Sequence, residues 1–271
     1  VGFPVFCLFL PLTQLRNTHA LLSKDPKYGG FQFYSTVTST FVAKIPDTLD
    51  FNSASVLPLA ISTAASALFQ SNNLDLPLPS LFPASTNKIT VIWGGSSSVG
   101  ALAIQLAKAA GLTVITTASA KNHDFVKSLG ADFMFDYNDR LVISDISTAI
   151  NTARKTFVGV VDCISAPESL DMCYSVLRKS HATKKIVSLL PVDDVPEDVD
   201  LAYAMAFTII SDQHKHIGEA IWGDYVPRAL AEGKLKAVPE AMVVGRGLEA
   251  IQGALAIQEN GVSAKKVVIE L

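Results

Sequence analysis

Cysteine is scarce in this chain of 271 residues: Cys7, Cys163 and Cys173 are the only three, and no two stand in a C-x-x-C spacing. That excludes a disulfide framework and a cysteine-built zinc knuckle, and it predicts a reducing, cytoplasmic setting. Charge of either sign is also sparse. Lys and Arg number 22 against 25 Asp and Glu, for a net charge of -3, so neither nucleic acid nor an anionic membrane is an expected partner. No G-x-S-x-G elbow occurs, which removes the α/β-hydrolase form of Ser/His/Asp chemistry. The apolar run at residues 1–12, VGFPVFCLFLPL, is too short to span a bilayer, contains Pro4 and Pro11, and lacks a basic flank. His214 and His216 stand two apart, a spacing that on a helix sends them to different faces, so a solvated loop is expected there and not a metal site. Apolar residues, by contrast, make up 49% of the chain, enough to bury a substantial core.

From residue 89 onward the apolar residues alternate between two periods. Strand-length runs occur at 89–95, 112–119, 132–137, 158–165 and 184–192, and helix-period stretches lie between them at 98–110, 122–129, 140–154 and 167–180. Short strands apolar on both faces, alternating with amphipathic helices, predict a parallel sheet covered on both sides: a doubly wound α/β domain of Rossmann type. Gly111 and Gly130 are placed to close helices as C′ residues, and Ser98 to cap one as N-cap. The flanks read differently. A Gly/aromatic strand (29–46), a helical stretch (53–70) and a Pro/Leu/Ser-rich linker (74–85) precede this region. An acidic loop (193–200), a helix (217–233), a strand-like segment, a helix (247–261) and a last strand (265–271) follow. The expected division is residues 1–85, a cofactor domain at 86–233, and a C-terminal return at 234–271.

The stretch VIWGGSSSVG (91–100) reads as a strand entering a phosphate-binding turn, with Ser97 where G-x-G-x-x-G has its middle glycine. Gly95 is expected to permit the tight turn and Gly100 to let the helix approach the strand. The hydroxyls of Ser96, Ser97 and Ser98 can donate to phosphate oxygens at the helix N-terminus. An NAD site wants an acid about 20 residues on for the ribose hydroxyls. Here the next strand ends Thr117-Ala118-Ser119-Ala120-Lys121-Asn122, with no acid before Asp124. Ser119 and Lys121 suit a 2′-phosphate, so NADPH is expected over NADH. Cys163, in VVDCIS, is expected to be a buried small apolar residue.

GGSSSVGALAIQLAKAAG, followed by TASAKNHDFVKSLGAD, FDYND, VVDCIS and VSLLP, resembles the zinc-free medium-chain dehydrogenase/reductase family, in its quinone-reductase-like branch. Within that branch it is most similar to the trans-acting enoyl reductases of polyketide synthases. The resemblance extends over residues 29–271 and weakens before them: family members place a GroES-like β-barrel ahead of GGFQFY, and residues 1–28 do not read as one. The implied second domain is therefore an incomplete GroES-like β-barrel.

The resemblance implies roles for particular residues. Ser96, Ser97, Ser98 and Val99 would line the pyrophosphate, and Ser119, Ala120, Lys121 and Asn122 the adenosine 2′-phosphate. Tyr137 would pack near the adenine, Leu189 and Leu190 beside the nicotinamide, and Val262 and Ser263 would make a late cofactor contact. Thr63 and Tyr203 would orient a substrate carbonyl, with Ala204, Met205, Ala206 and Phe207 forming part of the acyl wall. The implied activity is metal-free hydride transfer from NADPH to the activated C=C bond of an enoyl thioester or enone, with a polyketide synthase acyl carrier protein as the implied partner. Two alternatives stay open at this stage: an NADPH quinone oxidoreductase, and a truncated protein that binds NADPH without turnover.

Overall fold

A computed structural model describes residues 16–17, 37, 39–180 and 183–271. The apolar runs 1–12 and 29–36 lie outside these residues. At the front, β1 (Arg16–Asn17) pairs antiparallel with β2 (Ala43–Lys44). Residues Ser39–Phe41, expected to continue a strand, form a 3-10 turn. The helical stretch expected at 53–70 is two helices, α1 (Phe51–Ser55) and α2 (Pro58–Phe69). Pro58 explains the break, because it donates no N–H and is tolerated only in a helix's first turn. The stretch Phe51–Phe69 is long and apolar enough to cross a membrane, yet 78% of its most apolar window is buried inside the protein.

Six strands then build a wholly parallel sheet. They are β3 (Lys88–Trp93), β4 (Thr113–Thr117), β5 (Phe133–Phe135), β6 (Thr156–Asp162), β7 (Lys185–Ser188) and β8 (Asp200–Tyr203), in the order β5-β4-β3-β6-β7-β8. Between them run α3 (Ser98–Ala109), α4 (His123–Ser128), α5 (Val142–Thr152) and α6 (Pro167–Ser180). Side chains alternate across each strand, so β3 sends Ile92 into one core with Leu102, Leu106 and Trp222. It sends Ile89, Val91 and Trp93 into another with Ile146 and Leu177. This is the doubly wound Rossmann arrangement, and its strand order reverses between β3 and β6, where such sheets open a ligand crevice.

Some boundaries moved. The strands expected at 132–137 and 184–192 shrink to three and four residues, so Tyr137, Leu189 and Leu190 lie in loops. The sixth strand, β8, falls where the sequence reading ended its acidic loop. The helix expected at 217–233 is α7 (Lys215–Gly218), a π-helical segment Glu219–Tyr225, and α8 (Val226–Ala231). His214, expected in a solvated loop, is buried against this unit just before α7. After it, β9 (Glu240–Arg246) and β10 (Lys265–Glu270) form a separate two-stranded parallel sheet around α9 (Ile251–Glu259), with Ala254, Val267 and Ile269 at its centre. Asn52 of α1 donates to Glu270 of β10 at 2.7 Å, tying this small sheet to the front of the chain.

Candidate cofactor cleft

The carboxyl ends of β3, β4 and β6 surround a cleft of about 640 Å³. One wall is the turn after β3. Gly94 takes a left-handed φ of +77°, so the tight turn belongs to it and not to Gly95 as expected. Gly95 answers a different need: a Cβ there would collide with the Thr116 hydroxyl and stand 2.9 Å from Ile104 Cδ1. The N-cap of α3 is Ser97 and not Ser98. The Ser97 Oγ accepts the Gly100 N–H at 3.1 Å, and Ser97 itself is extended. The serine in the middle-glycine position therefore satisfies one helix donor and keeps its own O–H proton to give away. The N–H groups of Ser98 and Val99, at the first helical positions, have no intrahelical carbonyl to bond.

Lys266 of β10 reaches this turn and donates to Ser98 Oγ at 3.0 Å. In sequence this residue carries one signal, the adjacent pair Lys265-Lys266, which is indistinguishable from surface charge.

At the adenosine end, Ser119, Lys121, Asn122 and Tyr137 line the cleft with Val262, Ser263 and Ala264 opposite. Asn122 Nδ2 donates to Ser119 Oγ and to Ser263 Oγ, each at 3.2 Å, so one amide joins the end of β4 to the loop before β10. Ala120 does not line the cleft; its N–H donates to Asp136 Oδ2 at 3.0 Å. The Asn138 backbone N–H, above all, holds the Asp136 carboxyl below the usual carboxylate range. A third wall, absent from the sequence reading, follows β6: Ile164, Ala166, Glu168, Ser169 and Met172.

The residues expected at the nicotinamide and substrate end stand apart from this lining. The Leu189 N–H donates to Ser165 Oγ at 2.9 Å. Tyr203, the last residue of β8, is in register with Ser188 of β7, and Ala204 donates to the Ser188 carbonyl. Met205 precedes the 3-10 segment Ala206–Ile210, which carries Phe207. That segment is fixed to α2 by the Gln70 amide donating to Thr208 Oγ1 at 2.8 Å. Thr63 is 8% exposed and its hydroxyl donates to the Leu59 carbonyl of its own helix at 2.8 Å. To donate to a substrate carbonyl it must first leave that bond.

Among the described residues no three His, Cys, Asp or Glu side chains converge as a metal site. Cys163 is half-buried and packs against the core, and burial, followed by the Asp162 charge, pushes its thiol well above the ordinary range. It is thus no ready nucleophile.

A family model described as zinc-binding dehydrogenase matches residues 98–226. The trans-enoyl reductase himH of Aspergillus japonicus is 42% identical over 252 residues, which cover 93% of this chain and 72% of that protein. Among solved structures, the CurK enoyl reductase aligns with a TM-score of 0.65 at 21% identity, over 86% of this chain and 67% of that one. A mycobacterial protein in complex with NADPH aligns with a TM-score of 0.63 at 19% identity, over 90% and 73% of the two chains.

Proposed function

The chain belongs to the medium-chain dehydrogenase/reductase family and is an oxidoreductase; from that premise we propose that it uses NADPH to reduce the activated C=C bond of an enoyl thioester or enone. The observation that carries the cofactor half is the cleft itself. Its serine-lined helix N-terminus faces Lys266, and Lys121 stands at the adenosine end with Ser119 beside it. These residues fit a dinucleotide. The N–H groups of Ser98 and Val99 and the hydroxyls of Ser96 and Ser97 would bind the pyrophosphate, while Lys121 and Ser119 would bind a 2′-phosphate.

When bound, the nicotinamide supplies the hydride. The protein's part is then chiefly orientation: the loop of Leu189 and Leu190 would set the nicotinamide end, and the segment from Tyr203 to Phe207 would set the acyl group. The substrate half rests on the relatives named trans-enoyl reductases, one of which covers nearly the whole chain. That relationship favours an acyl thioester carried on a polyketide synthase acyl carrier protein, in a reducing, cytoplasmic setting. Quinone reduction would draw on the same cleft and cofactor.

Thermal unfolding with added nucleotide tests the first half, and NADPH oxidation followed at 340 nm with a crotonyl thioester or an enone tests the second. Stabilisation by about 2.7 kcal/mol is expected at a hundredfold excess of NADPH over its Kd. Stabilisation without oxidation would leave a nucleotide-binding protein; no stabilisation by NADPH or NADH would remove the cofactor assignment. Lys121→Ala is expected to weaken NADPH about tenfold, the scale of one exposed charge-assisted contact, and to leave NADH nearly unchanged. Equal losses for the two nucleotides would show that Lys121 does not read the 2′-phosphate.

A further inference from the structure

β6 ends on Asp162, whose side chain is 0% exposed and which lies in register with Trp93 at the point where the strand order reverses. A carboxylate in such a place is tolerated only with partners, and the chain after it supplies them all locally. Asp162 Oδ1 accepts the N–H groups of Ile164 at 2.9 Å and Ser165 at 3.1 Å, and Oδ2 accepts the Ser169 hydroxyl at 2.7 Å. Wrapping the chain around this carboxylate leaves Ser165 at a φ of +56°, in the left-handed region that non-glycine residues avoid.

The strained residue is the one that reaches the next strand. Ser165 Oγ accepts the Leu189 N–H at 2.9 Å and lies 3.0 Å from Ser188 Oγ. Ser188 Oγ in turn contacts both the carbonyl (2.6 Å) and the N–H (3.2 Å) of Leu190. The Leu189 N–H is thus held by Ser165, which Asp162 fixes through its carboxylate and through its own carbonyl, the acceptor of the Ser165 hydroxyl at 2.9 Å. The Leu190 groups are held by Ser188, the neighbour of Ser165.

We infer that Asp162, acting through Ser165 and Ser188, is a positioning residue that fixes the Leu189–Leu190 loop for the nicotinamide end of the cofactor. The inference rests on the NADPH reading above. It assigns to this carboxylate no contact with the cofactor and no proton transfer. The adenosine half is built instead by β4, α3 and the loop before β10, and among the described residues the hydrogen bonds of Ser165 and Ser188 run to none of these elements.

Two nucleotides therefore report on different ends. NADPH spans the cleft, whereas 2′,5′-ADP carries the adenosine half and both of its phosphates but no nicotinamide. Ser188→Ala, checked for native unfolding by circular dichroism, is expected to weaken NADPH about tenfold, to leave 2′,5′-ADP within about twofold, and to lower the fluorescence anisotropy of bound NADPH. Asp162→Asn keeps an oxygen for the two N–H donors and can turn its amide toward Ser169, so it is expected to stay within about twofold of the wild type for both nucleotides. Asp162→Leu, if folded, is expected to follow Ser188→Ala. Wild-type protein that binds neither nucleotide overturns the cofactor reading and this inference with it. Wild-type binding combined with a Ser188→Ala protein whose NADPH to 2′,5′-ADP affinity ratio and anisotropy are unchanged overturns the inference alone.

Discussion

Gly100→Ala is expected to destabilise the protein by about 1–3 kcal/mol, the usual cost of forcing a methyl group into a filled site, and to abolish nucleotide-induced stabilisation. The added Cβ would meet the Gly94 carbonyl oxygen and stand 2.9 Å from Gly95 Cα and 3.0 Å from the Gly94 carbonyl carbon. All three obstacles are backbone atoms of the phosphate turn, so no side chain can swing aside. Either α3 retreats from β3, pulling on Leu102, Ile104 and Leu106, which are fully buried, or the turn opens and misplaces its N–H groups. Both outcomes separate the donors that a pyrophosphate needs held together. Thermal unfolding with and without NADPH checks it; a variant that keeps both its melting temperature and its response to NADPH would mean that the turn has slack the structure does not show.

Trp222→Ala is expected to cost roughly 3–5 kcal/mol, a large share of the 5–15 kcal/mol typical of a whole domain. Trp222 is 1% exposed, sits in the π-helical segment Glu219–Tyr225, and donates its indole N–H to Ser62 Oγ of α2 at 3.0 Å. The side chain thus joins the helices after the sheet to the helix before it. Trp222→Phe, which keeps much of the apolar bulk and loses the donor, is expected to cost about 1–2 kcal/mol. Denaturant unfolding of both variants separates packing from hydrogen bonding. A Trp222→Ala loss near 1 kcal/mol would show that the surrounding helices close over the cavity.

The sheet was legible because most of its strands are apolar on both faces and separated by helices of clear period. β8 escaped notice because it is a four-residue edge strand, half-exposed, with no alternation to mark it. The π-helical segment escaped too, since its extra residue per turn leaves the apolar pattern close to helical. Within the site, local chemistry could be read and distant partners could not. Ser96, Ser97, Ser119, Lys121, Asn122, Tyr137, Val262 and Ser263 all line the cleft; the turn and the end of β4 mark Ser96, Ser97, Ser119 and Lys121 by their own chemistry, whereas Asn122, Tyr137, Val262 and Ser263 are reached only through the family resemblance. Ser97 and Ser98 exchanged roles because three consecutive serines offer equal capping chemistry, and only the turn geometry chooses among them. Lys266 and Ser98 are far apart in sequence, and no periodicity links them. Thr63 shows the opposite limit: its position is as expected, but its hydroxyl bond to Leu59 is visible only in the folded helix.

The Asn122 amide that joins Ser119 to Ser263, together with the Lys266 contact to Ser98, gives the cleft a history as well as a shape. On a ribosome the parallel sheet is complete once Tyr203 has emerged, but the segment that closes the cleft follows about sixty residues later. At typical rates of about 5–20 residues per second, the nascent chain holds all six strands without the closing segment for roughly 3–12 s. A nucleotide therefore meets its full set of cleft donors only when nearly the whole chain has been made.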